Sequence, residues 1–349
     1  MLRIYLMAGG RGTRLWPLSS SVPKPLLPLL PEGRTFLEET AERISALAPP
    51  SQWILGAGTG AIEGLAHALR NKWDGFHSLE EPGPRDTAPA LLYLAATLRN
   101  GAFGGCGDDI VLAVPVDQWM DRPDDWVSGV RKGVPLAEEG YLVTLGIKPT
   151  HPVPGYGYIK PDKSLGDGFG VLSFLEKPDV DEATTLIQDG CLWNSGTFLF
   201  KAEDMAKAAR EIAPRLWEGI LGVVGRSHRA DKPGDAFLTL PKTSFDVVIA
   251  QSHPQVAVVP CNPGWRDLGT WEAVASFWEE GGTDPLAKQL VEVDSKGNLV
   301  HTPGKTVALV GVENLVVVEG PEGLLVCARS AAQRVKEAVS RLEKGSSPK

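Results

Sequence analysis

Features that define several large classes of protein are scarce or missing in this sequence of 349 residues. Its four cysteines, Cys106, Cys191, Cys261 and Cys327, stand far apart without a CxxC pair, which argues against a zinc site. No apolar run approaches the length that spans a membrane, and Met1 leads directly into a strand pattern rather than a signal peptide. We therefore expect a cytoplasmic protein with free thiols and no membrane partner.

An excess of positive charge is also missing. The 35 Lys and Arg residues are outnumbered by 43 Asp and Glu residues, so the formal net charge is −8. Because an extended nucleic-acid-binding face needs a basic surface, we expect no nucleic-acid partner. Hydrophobic residues make up 43% of the chain, as in ordinary globular proteins, and the length suggests about two domains.

Strand and helix patterns alternate through the larger part of the chain. The predicted strands are 2–7, 52–55, 110–114, 141–147, 156–160, 171–176, 192–200 and 256–259. The predicted helices are 36–47, 61–69, 88–98, 126–136, 202–212, 243–250 and 271–278. This order predicts a Rossmann-like, doubly wound α/β sheet that is mostly parallel in its first half and mixed overall.

The pattern changes near Gln289. Short strands are predicted at 290–293, 299–301, 307–310, 315–319 and 323–327, with Gly, Asn and Asp between them. Such spacing predicts a small solenoid of β-coils or a β-sandwich, followed by a closing helix over 330–342. The predicted domains are thus 1–283 and 284–344, with a polar tail at 345–349.

The segment from Leu6 to Pro25 carries the strongest functional signal, LMAGGRGTRLWPLSSSVPKP. Three glycines among four positions, just after a first strand, leave bare N–H groups that form a concave anion site. Arg11, Arg14 and Lys24 add positive charge suited to phosphate, and open α/β sheets bind nucleotides at this edge. A flexible surface turn is the competing interpretation, and the charges and strand context disfavour it. The segment matches neither the P-loop nor the dinucleotide fingerprint, whose third glycine position is Leu15.

The order GGxGxRLxPL followed by PKP resembles the sugar-1-phosphate nucleotidylyltransferases, and RLWPLS is similar to their mannose-1-phosphate guanylyltransferase branch. The resemblance implies transfer of GMP from GTP to α-D-mannose 1-phosphate, giving GDP-mannose and pyrophosphate by in-line attack of the sugar phosphate. It also implies a short left-handed β-helix at the C-terminus. Many relatives carry a further isomerase domain, for which this sequence ends too soon, so a single activity is expected.

The resemblance implies that Mg²⁺ or another divalent cation is held by two aspartates, Asp117 and Asp267. Asp117 follows an apolar strand in a Pro-Val-Asp-Gln segment that is similar to the family's P-A-D-H. Asp267 lies in a WRDLGTW segment that is similar to W-x-D-[VL]-G-[ST]-W. A turn residue and a helix cap are the plainer interpretations of these two aspartates.

Five further motifs occur in family order and imply the substrate contacts. EPGPRDTAPA at 81–90 resembles E-P-x-x-R-N-T-A-P-A, which implies base recognition, although helix capping by Asp86 or Thr87 is the plainer role. GYGYI at 155–159, F-x-E-K-P at 174–178, W-N-S-G-x-F at 193–198 and Ser-Phe-Asp at 244–246 imply the sugar-phosphate site.

These motifs assign roles residue by residue. The implied nucleotide-binding residues are Ala8, Gly9, Gly10, Gly12, Thr13, Arg14, Pro84, Arg85, Asp86 and Thr87. The implied sugar-phosphate-binding residues are Gly157, Glu176, Lys177, Asn194 and Asp246. The implied catalytic residues are Arg14, Lys24 and Lys177.

The sequence departs from the family pattern at three positions. Gln118 replaces the usual His, Asp86 the usual Asn, and Gln251 the usual Glu. These departures leave two alternative functions open. One is a related transferase that acts on another base or on glucose 1-phosphate, and the other is a non-catalytic regulatory homologue that binds a nucleotide sugar. The oligomeric state is also open, a homodimer included.

Overall fold

The computed structural model describes residues 1–10, 12–227, 233–281, 289–343 and 345. The predicted domain boundary after residue 283 and most of the predicted tail lie outside the described residues, so both stay predictions. Two compact units form, each from several separate stretches of chain. The first unit comprises Met1–Gly9, Ala41–Pro115 and Met120–Trp265, and the second comprises Gly10–Thr40, Val116–Trp119 and Arg266–Lys349.

Eleven strands precede the C-terminal coils in the described part of the chain. They are β1 Leu2–Met7, β2 Trp53–Gly58, β3 His77–Glu81, β4 Ile110–Pro115, β5 Gln118–Met120, β6 Leu142–Ile147, β7 Gly157–Leu165, β8 Gly168–Glu176, β9 Leu192–Lys201, β10 Val256–Cys261 and β11 Trp265–Asp267. Nine of them form one sheet in the first unit, in the order β3-β2-β1-β4-β9-β6-β10-β8-β7.

The sheet is mixed, as predicted. β1 runs parallel to both β2 and β4, and Leu6 pairs with Leu55 on one side and Val114 on the other. β9 then lies antiparallel to β4 and β6. Because β1 has neighbours on both edges and apolar side chains on both faces, its centre is fully buried. The chain therefore leaves this strand at the carboxyl edge of the sheet, where the glycine-rich loop begins.

Ten α-helices occur in the described part. They are α1 Phe36–Ser45, α2 Ile62–Arg70, α3 Thr87–Arg99, α4 Pro123–Glu138, α5 Val180–Gln188, α6 Ala202–Ile212, α7 Pro214–Ser227, α8 Pro233–Leu238, α9 Trp271–Glu279 and α10 Val335–Glu343. α3 is apolar nearly all round and is correspondingly buried nearly all round. It packs against α6 and α7 in the first unit.

Some predicted helices differ from the observed elements. The predicted helix 243–250 is a π-helical turn over Asp246–Ala250, and the closing helix 330–342 begins as a 3-10 turn, Arg329–Arg334, before α10. α7 was not predicted, although Pro214 stands at its first position and Leu216, Trp217 and Ile220 are buried. α5 and α8 were not predicted either.

The C-terminal strands of the second unit form a coil that repeats every 17 residues. Its strands are β12 Gln289–Val293, β13 Leu299–His301, β14 Thr306–Val310, β15 Leu315–Gly320 and β16 Gly323–Ala328. β12 pairs in parallel with β14, and β13 with β15, while β16 returns antiparallel to β15. Parallel stacking of consecutive turns is the geometry of a solenoid, so the β-helix is confirmed over the β-sandwich.

Left-handed backbone positions repeat with the same offset as the ladder. Asp294 and Gly311 have φ of 49° and 65°, and Gly297 and Asn314 have φ of 65° and 53°. Gly tolerates this conformation without strain, and Asn and Asp adopt it more readily than other residues. The coil therefore repeats its corners even though the residues at those corners differ.

Two tryptophans anchor α9 within the second unit. Trp271 Nε1 donates to the carbonyl of Trp16 at 2.9 Å, and Trp278 Nε1 donates to the carbonyl of Leu29 at 3.0 Å. The Trp271 side chain is fully buried, and each indole N–H that loses water gains a carbonyl acceptor. No helix in the described ranges is long and apolar enough to cross a membrane.

Asn298 joins successive turns of the coil, and its removal tests their contribution to stability. Its Oδ1 accepts from the backbone N–H of Leu315 at 2.9 Å, and its Nδ2 donates to the carbonyl of Val312 at 3.2 Å. Asn298→Ala leaves both backbone groups without this partner, so we expect a loss of about 1–3 kcal/mol in the free energy of unfolding. Urea unfolding of the full chain measures it.

Lys336→Ala, at an exposed position of α10, is the matched control and should change the free energy of unfolding by less than about 0.5 kcal/mol. A loss in Asn298→Ala no larger than in this control would show that the ladder does not depend on the amide.

Candidate nucleotide and sugar-phosphate sites

The glycine-rich loop begins in the first unit and continues in the second. In the first unit the Ala8 N–H donates to the carbonyls of Leu6 and Gly56, which extends the strand pairing to the edge of the loop. Gly9 follows and is exposed. Arg11, which the sequence suggested as a source of positive charge, lies outside the described residues.

Gly12 is required by the backbone and by its surroundings. It has φ of 59°, and a Cβ at this position would lie 2.8 Å from Lys24 Cβ. Ser19 Oγ donates to the Gly12 carbonyl at 2.8 Å. Gly10, with φ of 101°, is open on the side where a Cβ would point. The loop is thus tied to the segment that carries Lys24 and leaves its outer backbone accessible to a ligand.

Thr13 and Arg14 begin a 3-10 turn whose third residue, Leu15, is fully buried. This buried anchor fixes the backbone while the side chains of Thr13 and Arg14 stay half-buried. The Arg14 guanidinium donates to Gln333 Oε1 at 3.1 Å. Gln333 was missed by the sequence reasoning, and no local pattern marks it.

Lys24 is the most buried charged group of this site, with 7% of the residue exposed. Its Nζ lies 2.9 Å from Asp117 Oδ2 and 3.9 Å from Asp267 Oδ1, and it also lies over the ring of Phe36. The second unit therefore brings together three residues that the sequence assigned to catalysis and metal binding. Burial of an ammonium is favourable only where opposite charges compensate for its lost hydration.

The Asp267 carboxyl is affected by its burial and by the charges around it. Burial raises the pKa of the Asp267 carboxyl and the charge of Asp117 adds to the rise, while Lys24 and Arg14 hold it down. Gly269 also bonds to the Asp267 carboxylate through its backbone, and a Cβ at Gly269 would lie 2.9 Å from Asp267 Oδ1. The site thus concentrates negative charge close to two cationic side chains.

These residues fit a divalent cation that prefers oxygen ligands. Asp117 and Asp267 are partly exposed, at 41% and 35% of their side chains, so their oxygens remain accessible despite the bond to Lys24. No group of three or more His, Cys, Asp and Glu residues suited to a metal occurs among the described residues. Two carboxylates without a third ligand suit Mg²⁺, which keeps waters and takes substrate oxygens.

The loop that implied base recognition lies in the first unit and leads into α3. Pro84 is exposed, and Arg85 Nη2 donates to the carbonyl of Leu238. Thr87 Oγ1 accepts from the Phe245 N–H at 2.8 Å. These bonds hold the loop against the segment that contains Asp246.

Asp86 combines a cap with an unusual backbone. Its φ and ψ are 69° and −176°, a region populated almost only by glycine, and its Oδ1 accepts from the Thr87 N–H at 2.8 Å. Asp86 therefore caps the N-terminus of α3, as the sequence suggested. Backbone strain at an exposed loop residue is typical of functional sites. The conformation of Asp86 therefore supports contact with a ligand in addition to the helix cap.

Tyr5 and Glu81 form a buried pair that the residue assignments missed. Tyr5 donates from its hydroxyl to Glu81 Oε1 at 3.1 Å, and its ring occupies the space that a Cβ on Gly56 would need. Burial raises the pKa of the Glu81 carboxyl, and the Tyr5 hydrogen bond opposes the rise. A Cβ on Gly9 would lie 3.7 Å from Glu81 Oε2. The hydroxyl that Tyr5 carries into the fully buried centre of β1 was the available signal.

Asn194 is the centre of the sugar-site network. Its Oδ1 lies 3.0 Å from Thr144 Oγ1 and accepts from the Gly196 N–H at 3.2 Å, while its Nδ2 donates to Asp246 Oδ1 at 2.6 Å. Donors on one side and a carboxylate on the other fix the orientation of the amide. Thr144 was missed because it stands inside a buried strand.

Glu176, Lys177 and Gly157 adjoin this network in the first unit. A Cβ on Gly157 would lie 2.7 Å from Glu176 Oε2 and 3.3 Å from Asn194 Cβ, so a side chain there would displace the Glu176 carboxylate. Lys177 Nζ bonds to Glu176 Oε1, and 63% of the Lys177 side chain is exposed. Lys177 also has φ of 53°, an uncommon conformation for a lysine. The structure therefore brings together all five residues assigned to the sugar phosphate.

Asp246 is the most perturbed group of the network. Burial raises its pKa to about 6, the nearby Glu176 adds to the rise, and the bond from Asn194 opposes it. The network therefore combines two neighbouring carboxylates, which accept hydrogen bonds, with a lysine that bonds to one of them.

The two glutamines that depart from the family pattern differ in setting. Gln118 is buried in β5, next to Asp117, whereas Gln251 is exposed at the end of the π-helical turn. The Gln251 N–H donates to the Asp246 carbonyl at 2.9 Å, so this residue meets Asp246 through the backbone while its side chain is exposed.

The model of the nucleotidyl transferase family matches residues 4–280. The chain belongs to the nucleotidyl transferase family. It is a sugar-1-phosphate nucleotidyltransferase, as the resemblance of its first loop implied. A second model, the mannose phosphate isomerase and GMP-like β-helix domain, matches residues 288–342 of the transferase.

Curated relatives match nearly the whole transferase. A mannose-1-phosphate guanylyltransferase of Escherichia coli is 30% identical over 97% of this chain and 75% of its own length. The xanthan biosynthesis protein XanB of Xanthomonas campestris is 34% identical over 97% of this chain and 72% of its own length.

Solved structures resemble the fold over most of its length. A Thermus thermophilus protein described as a mannose-1-phosphate geranyltransferase has a TM-score of 0.82 and 34% identity, and the match covers 98% of this chain and 99% of that one. A mannose-6-phosphate isomerase of Helicobacter pylori has a TM-score of 0.63 and 20% identity. The match covers 76% of this chain and 99% of the isomerase, and at this identity it shows only a similar fold.

The raised pKa of Asp246 predicts a pH-dependent stability difference. Its folded value of about 6 lies above the usual 3.8, so the folded state holds this proton more tightly than the unfolded state does. Stability from this group is therefore greatest in acid and declines as the pH rises from about 4 to about 6. Asp246→Asn removes the titration and keeps an oxygen for Asn194.

Urea unfolding of both proteins between pH 4.5 and pH 8 gives the test. We expect the variant to gain on the wild type by on the order of 1–3 kcal/mol between those limits, most of it below about pH 6.5. A difference that is independent of pH would show that Asp246 titrates normally.

Proposed function

We propose that this transferase moves GMP from GTP to α-D-mannose 1-phosphate, producing GDP-mannose and pyrophosphate. The sugar phosphate is the nucleophile, and its oxygen attacks the α-phosphorus of GTP while pyrophosphate leaves in line. Relatives of about 30% identity that are named mannose-1-phosphate guanylyltransferases support this substrate pair over others.

One observation carries the proposal, namely Lys24 held between Asp117 and Asp267 and packed under Gly12 of the glycine-rich loop. Nucleotidyl transfer requires no protein nucleophile, so its catalytic groups are those that position phosphates and balance their charge. Backbone N–H groups of the loop, with Arg14 and Lys24, supply positive potential for a triphosphate. The sugar hydroxyls find hydrogen-bond acceptors in Glu176, Asn194 and Asp246. The sugar phosphate finds a cation in Lys177.

Mg²⁺ or a similar cation is part of the proposal, with Asp117 and Asp267 as its protein ligands. When bound, such an ion neutralises phosphate oxygens and the charge that develops on the leaving pyrophosphate. The protein's own contribution is to orient both carboxylates. Lys24 contributes to this, because its Nζ lies 2.9 Å from Asp117 Oδ2 and 3.9 Å from Asp267 Oδ1.

The substrate pair is tested by pyrophosphate release with Mg²⁺, using GTP, ATP, UTP and dTTP each combined with mannose 1-phosphate and glucose 1-phosphate. We expect the highest kcat/KM with GTP and mannose 1-phosphate, because relatives of about 30% identity are named for that pair. A maximum elsewhere in the grid would keep the reaction class and replace the substrates. No release from folded protein in any combination would favour the regulatory homologue.

Removal of either candidate metal ligand gives a second test. Asp117→Asn and Asp267→Asn keep the side-chain shape but remove the charge, so we expect kcat/KM with Mg²⁺ to fall at least about 100-fold. Asp167→Asn, an exposed aspartate in the turn between β7 and β8, is the matched control and should keep wild-type activity. Turnover near the wild-type value in both site variants would refute the metal assignment.

A further inference from the structure

The Arg14 guanidinium is paired with a neutral group. Its Nη1 donates to the amide oxygen of Gln333 at 3.1 Å, across 319 residues of sequence. Within the described part of the chain Arg14 makes no ion pair, although the carboxylate of Asp267 is near enough to sense its charge. An amide acceptor orients a guanidinium without neutralising it, whereas a carboxylate would form an ion pair and compete with an incoming phosphate.

Gln333 stands on an element that is firmly held. It belongs to the 3-10 turn Arg329–Arg334, and its neighbours Ala332 and Val335 are buried in the same apolar cluster as Leu15, the residue after Arg14. The exposed side chain of Gln333 therefore extends from a backbone whose position is set by packing.

The start of that turn is fixed by charge. The guanidinium of Arg329 bonds to Glu272 Oε2 at 2.9 Å and to Glu279 Oε2 at 3.1 Å, and both glutamates lie on α9. Only 14% of the Arg329 side chain is exposed. A two-carboxylate clamp on a mostly buried arginine restrains the turn more than a single surface ion pair does.

The hairpin of β15 and β16 approaches the same loop from the residues after Arg14. A Cβ on Gly320 would lie 2.7 Å from the Pro17 carbonyl oxygen, and one on Gly323 would lie 3.1 Å from Trp16 Cη2. Both glycines are thus needed for this close approach. The C-terminal coil contacts the loop through backbone and ring as well as through Gln333.

We propose that Gln333 is a positioning residue for nucleotide binding: it holds the Arg14 guanidinium toward the phosphates of the nucleotide and leaves its charge unneutralised. The proposal rests on the proposed function, in which Arg14 meets those phosphates. Without Gln333 the long Arg14 side chain regains rotamers that binding must again restrict, which weakens nucleotide affinity but leaves the sugar-phosphate site unaffected.

The proposal is tested by measuring the equilibrium binding of GTP by calorimetry, in the presence of Mg²⁺ and the absence of sugar phosphate. Gln333→Ala should weaken GTP binding about three- to tenfold. Gln333→Glu should weaken it more, because the new carboxylate pairs with Arg14. Lys336→Ala, exposed on the adjoining α10, is the control and should bind GTP as the wild type does.

A double-mutant cycle separates positioning from general damage. In an Arg14→Ala background, Gln333→Ala should cause no further loss of GTP affinity, since its target is gone. In turnover assays, Gln333→Ala should raise the KM for GTP and leave the KM for mannose 1-phosphate unchanged. Equal losses in both backgrounds, or equal rises in both KM values, would overturn the positioning role.

The two proposals fail in different ways. If Arg14→Ala weakens GTP binding and both Gln333 variants bind as the wild type does, Gln333 has no positioning role while the proposed function stands. If the folded wild type binds no nucleoside triphosphate from the grid above, the proposed function itself is wrong.

Discussion

Lys24 loses nearly all of its contact with water, and an ammonium in that position requires opposite charge beside it. Asp117 and Asp267 supply that charge from segments 93 and 243 residues further along the chain. Residue 12 packs against the aliphatic part of the same lysine. It has to be glycine, because a Cβ there would collide with the lysine side chain. The loop, the two aspartates and the lysine thus have one mutually consistent arrangement.

Local patterns predicted those elements whose periodicity matches their burial. β1 and α6 agree with their predicted bounds to the residue. The apolar run of β1 and the apolar face of α6 are both buried, so the sequence pattern matches the burial. α7 was missed although Pro214 and its buried stripe were available as signals. The position of β9 between β4 and β6 was not predictable locally, since it follows from antiparallel pairing across long stretches of chain.

Site residues were accessible to sequence reasoning where a motif names them, but their partners were not. The motifs assigned Asn194 and Asp246 to one site, and the structure joins them by a 2.6 Å hydrogen bond across 52 residues. Thr144, Glu81 and Gln333 complete these networks from a buried strand, a strand end and a distant turn. Each was missed because its role comes from tertiary contact and not from the chemistry of its neighbours in sequence.

The C-terminal coil shows why its repeat was not identified and why it matters for the site. Its corners alternate between Gly and Asp or Asn, so backbone conformation repeats while residue identity does not. Each turn of the coil is bonded to the next through its parallel strands. The Gly320–Gly323 hairpin at the end of the coil and the turn that carries Gln333 both contact the segment from Arg14 to Pro17. Precision in a loop made of glycines must come from what the loop contacts, because glycine itself restrains the backbone least.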